Sequence, residues 1–194
     1  MEEMLARWVQ GADLDPLTQG VLSDWMSDFN PRSGELLRGS KPWLGSAFAP
    51  LVGRKILSVR LLSRGRAEGV AFATGVEGVI FSTSEGDVAL LVDGDCCSDS
   101  WMYRITGVAS LMGRVVLGVL ETPTDDVNPN DGLGRQEEDL VYGAGLLTEA
   151  GVCEIVFRNS SNGYYGGYWE RWGKTIPPEW LAVEPLADDW QYSH

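Results

Sequence analysis

Two short segments gather most of the residues that could do chemistry. The first is "DGDCCSDSW", residues 93–101, in which Asp93, Asp95 and Asp99 surround the adjacent thiols of Cys96 and Cys97. Closely spaced carboxylates in a loop can offer hard oxygen ligands to a divalent cation. The thiols could act as nucleophiles, but neighbouring carboxylates raise a thiol's pKa and disfavour the thiolate. The preferred reading is a turn at a strand end: Asp-Gly bends the chain, Ser98 or Asp99 caps the next element, and the thiols pack inward. The second segment is "RNSSNGYYGGYWERW", residues 158–172. Asn162-Gly163 is a good hairpin turn, yet a turn needs only two such residues. Tyr164, Tyr165 and Tyr168 add rigid faces for stacking, Asn159 and the serines add hydrogen bonds in both senses, and glycines let a ligand approach the backbone. A planar ligand with polar edges, such as a nucleotide, suits that set. An aromatic corner packed on Trp169 and Trp172 suits it equally, and both readings stay open.

Absences narrow the chemistry further. The single histidine is His194, so Ser-His-Asp and Cys-His mechanisms and the usual zinc sites lack their imidazole. There is no G-x-x-x-x-G-K and no G-x-G-x-x-G phosphate cradle. "DVNPNDGLGRQE" places Asp126, Asn128, Asn130 and Glu137 at calcium-loop spacing. Its sixth position is Asp131 rather than glycine, with Gly132 one place late, so a plain exposed loop is expected. No catalytic residue, metal-ligand set or cofactor is therefore expected.

The elements that must position these segments divide the chain in two. Residues 1–50 read as an N-terminal helical element. Asp15 and Pro16 begin a helix with Leu17, Val21, Leu22, Trp25 and Phe29 on one stripe, and Asn30-Pro31 ends it. Residues 51–194 read as a mainly β domain of about seven short strands separated by Gly, Glu and Asp. The expected fold class is α+β, with the helical element packed on a mainly antiparallel sheet or partial barrel. The chain has 194 residues, 44% of them apolar and 22% charged, enough for a real core. Its 28 acidic and 15 basic residues give −13, which disfavours direct nucleic-acid binding. No run approaches the ~18 apolar residues of a membrane-spanning helix. The start "MEEMLARWVQ" has acids where a secretory signal has bases, and three cysteines make no disulfide framework, so a cytoplasmic setting is expected.

Taken together, Gly94 to Trp101 (Gly-Asp-Cys-Cys-Ser-x-Ser-Trp) and Asn162 to Gly167 (Asn-Gly-Tyr-Tyr-Gly-Gly) resemble a family of small bacteriophage-associated proteins of unassigned function. The likeness runs from about Gly53 to Trp169, and "LSDWMSDFNPRSGELLRG" is similar to a short helical motif attached to varied bacterial and phage proteins. The resemblance implies a phage accessory protein of the host cytoplasm and brings no known reaction. Small acidic phage proteins of this type often counter host defence, so a counter-defence factor or inhibitor is expected ahead of an enzyme. Its partner would be a host defence protein or a nucleotide-like small molecule, and a homo-oligomer is compatible with it. The two segments are expected to meet in one pocket. There Tyr164 or Tyr165 would stack on the ligand, Asn159 and Asn162 would read its edges, and Arg158 would meet a phosphate or carboxylate. Asp95, Ser98, Ser100 and Trp101 would form the other wall. A metal-dependent enzyme built on the aspartate-rich loop and an acidic DNA mimic are the alternatives.

Overall fold

The computed structural model describes residues 29–30, 35–36, 47–63, 76–95, 97–122, 124, 127–128, 136–163, 166–174, 176–177, 180 and 185–192. The chain divides into two units, Met1–Gly39 and Ser40–His194. In the first, β1 (Phe29–Asn30) pairs antiparallel with β2 (Glu35–Leu36). The expected N-terminal helical element is thereby overturned: the described residues form strands there, and none belongs to a helix of seven residues or more. Asn30 precedes Pro31, and proline drives the residue before it out of the α region into extended backbone. The rest of the stripe, Leu17 to Trp25, lies outside the described residues.

The second unit is all but wholly β, with 3-10 turns at Ala49–Leu51 and Val108–Ser110. Its strands are β3 (Ile56–Leu62), β4 (Gly78–Thr83), β5 (Gly86–Gly94), β6 (Asp99–Thr106), β7 (Gly118–Glu121), β8 (Glu138–Thr148), β9 (Gly151–Ser161), β10 (Gly167–Trp172) and β11 (Trp190–Gln191). They form a four-stranded sheet, β10-β5-β4-β3, and a five-stranded sheet, β11-β6-β9-β8-β7, each antiparallel throughout. Phe48 and Leu51 belong to this core, although the sequence pattern places Phe48 in the N-terminal element.

Two hairpins share one local solution. "TSEG" joins β4 to β5 and "TEAG" joins β8 to β9. In the first, Thr83 Oγ1 donates to Gly86 O at 2.6 Å and accepts from Glu85 N at 3.1 Å. In the second, Thr148 Oγ1 accepts from Ala150 N at 3.1 Å and lies 3.3 Å from Gly151 O, while the shorter acceptor for its proton is Ser110 O at 2.8 Å. Gly86 and Gly151 sit at φ 108° and 132°, where a β-carbon is disfavoured. These tight turns fix the register, and the register puts every inward residue on the right face.

Val79, Phe81, Leu90, Met102, Ile155 and Phe157 fill the core between the sheets. The outer faces are covered as well. Leu62, Ile80 and Leu91 lie under Trp172, Ile176 and Trp180, and Val156 and Tyr103 lie against Val127. Double coverage explains why runs such as "ALLV" are apolar without alternation: strands buried on both faces lose the period of two. The C-terminal segment crosses between the sheets, with Leu186 N on Val59 O at 2.7 Å and Trp190–Gln191 paired to Ile105 and Arg104.

Candidate functional site

The two chemistry-bearing segments are the two places where the chain changes sheets. β5 ends at Gly94 in the four-stranded sheet, turns through Asp95–Ser98 and continues as β6 in the five-stranded sheet. β9 ends at Ser161 in the five-stranded sheet and returns as β10 in the four-stranded one. The crossovers run side by side and are paired on both banks: Gly94 faces Gly167, and Ser100 faces Asn159. Asp95 N donates to Gly166 O between them at 3.3 Å. The expected juxtaposition is therefore present. The hairpin reading of Asn162-Gly163 is not, because β10 takes β5 as its neighbour instead of β9.

The first crossover is a tight turn in which Ser98 N and Ser98 Oγ both donate to Asp95 O, at 3.1 and 2.9 Å. Cys97 takes a left-handed φ of 68° and is exposed, so it does not pack inward as the turn reading expected. Cys96 lies outside the described residues.

The facing glycines allow the sheets to close on polar side chains. A β-carbon on Gly94 would collide with Ser98 Oγ and lie 3.1 Å from Ser100 Oγ and 3.2 Å from Asn159 Nδ2. One on Gly167 would lie 2.7 Å from Ser100 Oγ, 2.8 Å from Phe157 Cε2 and 2.9 Å from Asn159 Cβ. Only glycine at these positions lets Ser100 and Asn159 pack under the opposite sheet. Asn159 is fully buried, and its Nδ2 donates to Ser100 Oγ at 2.9 Å. Its Oδ1 is buried with no hydrogen-bond partner. Turning the carboxamide over exchanges the two ends without removing the deficit, since one end always lacks a partner.

Arg158 points the other way. It is fully buried, forms an ion pair with Asp139, and has its guanidinium 5.6 Å from the Trp101 ring centroid and 5.1 Å from that of Tyr103. The folded chain thus answers its charge internally, on the sheet face opposite Asn159. Trp101 shares that face and is 1% exposed. Gln136 N donates to Ser160 Oγ at 2.8 Å, which brings the loop before β8 to the same side. Asp95 and Asn162 are exposed, Ser98 and Ser100 half-buried, and Tyr164 and Tyr165 lie outside the described residues. Of the calcium-like spacing, Asn128 and Glu137 are described and exposed. Among the described residues no three His, Cys, Asp or Glu side chains converge as a metal-binding group.

Sequence reasoning passed over Tyr142. Strand pairing sets Leu140 opposite Asn159 and Tyr142 opposite Phe157, so all four share the inner face of the five-stranded sheet. The Tyr142 ring stacks on Phe157 with centroids 4.7 Å apart and planes 12° apart. Burial holds its phenol pKa above the ordinary value, opposed by the Gly167 N–H that the phenol oxygen accepts. Leu140 is 42% exposed and Tyr142 half-buried, so a ledge emerges here beside β10. The signal was present in "LVYGAG", where Leu140, Tyr142 and Ala144 alternate at the strand period.

The family model described as a domain of unknown function, DUF7448, matches residues 49–170. The chain belongs to the DUF7448 family. The matched stretch contains both crossovers, the Asn159–Ser100 pair and the Tyr142 ledge. An uncharacterized protein of Acanthamoeba polyphaga mimivirus is similar to this DUF7448 member, with 31% identity over 96 residues that cover 47% of this chain and 73% of that protein. No solved structure matches.

Proposed function

We propose that this DUF7448 member is a non-catalytic binding protein that holds a small, planar, polar-edged ligand of the nucleotide class at the crossover end of the sandwich. The ring system would lie on the Leu140–Tyr142 ledge, with its polar edge turned toward Asn159. The carrying observation is the Asn159 carboxamide: fixed at one end by Ser100 and unanswered at the other. Leaving a buried polar atom without a partner costs about 1–3 kcal/mol, so the deficit calls for a missing partner, which a ligand can supply. A ligand donor at Oδ1, or an acceptor if the amide is reversed, would recover that cost. Tyr142 adds a face already held by Phe157, which spares the entropy of ordering it.

The viral relative and the resemblance to phage proteins support a role in an infected host cell, where a binding protein of this kind would act as a counter-defence factor by sequestering a nucleotide signal. Native mass spectrometry of purified protein, followed by calorimetric titration with a nucleotide panel, tests the reading. Stacking is worth about 1–3 kcal/mol per base, so Tyr142→Ala should weaken binding roughly tenfold to hundredfold. Asn159→Ala should weaken it by a similar factor without lowering the melting temperature, because it also removes an unsatisfied group. A panel in which no nucleotide or nucleoside binds, with none carried through purification, would end the proposal.

A further inference from the structure

We infer that the free edge of β10 is a docking surface for an extended, basic segment of a partner protein, which joins the four-stranded sheet as an added strand. β10 stands last in the sheet order and, among the described residues, pairs only with β5. The Asp95–Gly166 hydrogen bond marks that pair as bonded. Antiparallel pairs alternate between bonded and non-bonded, so Tyr168, Glu170 and Trp172 turn their backbone groups toward β5. Gly167, Trp169 and Arg171 turn theirs outward. The Tyr142 phenol answers the outward N–H of Gly167, while the backbone N–H groups of Trp169 and Arg171 have no partner among the described residues.

Side chains on either side of this edge define what fits it. On the inner side lies Leu140, one of three large apolar residues exposed among the described residues, where an added strand would extend over β8. On the outer side Tyr168 stands opposite Asp93, with Glu170 two residues along the same face. The Tyr168 phenol pKa is raised by burial and by the nearby carboxylates of Asp93, Glu170 and Asp95. An added strand sends alternate side chains to opposite faces, and cross-strand neighbours of opposite charge attract. The matching sequence therefore alternates apolar residues over Leu140 with basic residues among the three carboxylates. Charge also disfavours a second copy, which would bring the same acids and a net charge of −13. Such docking needs no ligand at Asn159, but it covers Leu140, part of the ledge proposed for the ligand ring, so the peptide is tested on protein free of nucleotide.

The test uses the full chain and a fluorescein-labelled Lys-Val-Lys-Val-Lys-Val-Lys peptide, followed by fluorescence anisotropy. A peptide of the same composition with its lysines in one block should bind at least about tenfold more weakly, since strand addition needs the alternation. Arg171→Pro removes an outward N–H without touching the bonds to β5, and should weaken the alternating peptide about tenfold with unchanged circular dichroism. Glu170→Lys should weaken binding and flatten its salt dependence, which gives an independent readout if the proline variant misfolds. Asn159→Ala should leave peptide binding unaltered. Equal binding of the two peptides would overturn the inference, as would binding indifferent to both β10 variants. So would light scattering that finds a dimer abolished by Arg171→Pro, because a second copy would then occupy the edge.

Discussion

Replacing Asp139 by asparagine keeps the side chain's shape and removes its charge, leaving the Arg158 guanidinium buried without its counter-ion. The Arg158 side chain is 0% exposed and that of Asp139 6%, so water cannot replace the lost carboxylate. Breaking a buried pair by neutralising one partner costs about 3–5 kcal/mol. In a chain of this size each kcal/mol moves the melting temperature by about 2–4 °C, so Asp139→Asn should melt roughly 6–20 °C lower. Removing both charges is a different perturbation. Arg158→Met with Asp139→Leu places apolar groups against Trp101 and Tyr103, and such exchanges are often neutral or stabilising by about 1–4 kcal/mol. Urea denaturation of the wild type, Asp139→Asn and the double variant measures all three, with the m value checked for constancy. A single variant within about 1 kcal/mol of wild type would refute the account of Arg158 as an internally neutralised charge. A double variant no more stable than the single one would refute it equally.

Other perturbations draw on the same geometry. Gly167→Ala should destabilise by about 1–3 kcal/mol through its clash with the Phe157 ring, and Gly94→Ala by less because Ser98 Oγ can rotate away; paired urea titrations check the order. Cys97→Gly should stabilise by about 0.5–1 kcal/mol, since φ 68° suits glycine, and a lowered melting temperature would contradict it. Stability should fall as pH rises above about 9. Burial, then Asp189 and Glu154, push the Cys153 thiol pKa up from 9.0, so the folded state keeps a proton that the unfolded chain has already lost. Cys153→Ala should flatten that decline, as read from denaturation midpoints between neutral and alkaline pH.

Much of the β domain was legible because the turn chemistry is local. "TSEG" and "TEAG" are turns whichever strands they join, and "WMYRITGVASLMG" shows an extended run followed by the turn at Val108–Ser110. The N-terminal helix was misread because the apolar stripe that ends at Phe29 has helical spacing, and a spacing does not reveal which partner will claim the backbone. At Phe29–Asn30 the partner is β2. The same limit applies to Asn162-Gly163. It ends a strand as expected, but the choice between a hairpin and a change of sheet depends on β5, some seventy residues earlier in the chain.

The division of the candidate site into two faces was available from the sequence alone. Adjacent residues in a strand point to opposite faces, so once 158–161 is read as strand, Arg158 and Asn159 cannot both face one ligand. The same holds for Ser100 and Trp101. Alternation couples Asn159 with Ser100 on the inner face and Arg158 with Trp101 on the outer, which is the arrangement observed. What alternation cannot supply is which partner each of these groups finds. Arg158, the stronger charge, finds Asp139, a residue that the sequence places in the polar 123–139 stretch and that only the β8–β9 register brings beside it. Asn159, the weaker group, finds one partner for two ends. A buried charge must be neutralised for the chain to fold at all, whereas a single unanswered amide atom is a deficit the fold can carry. An unanswered amide is thus a better guide to a ligand than a cation that already has its counter-ion.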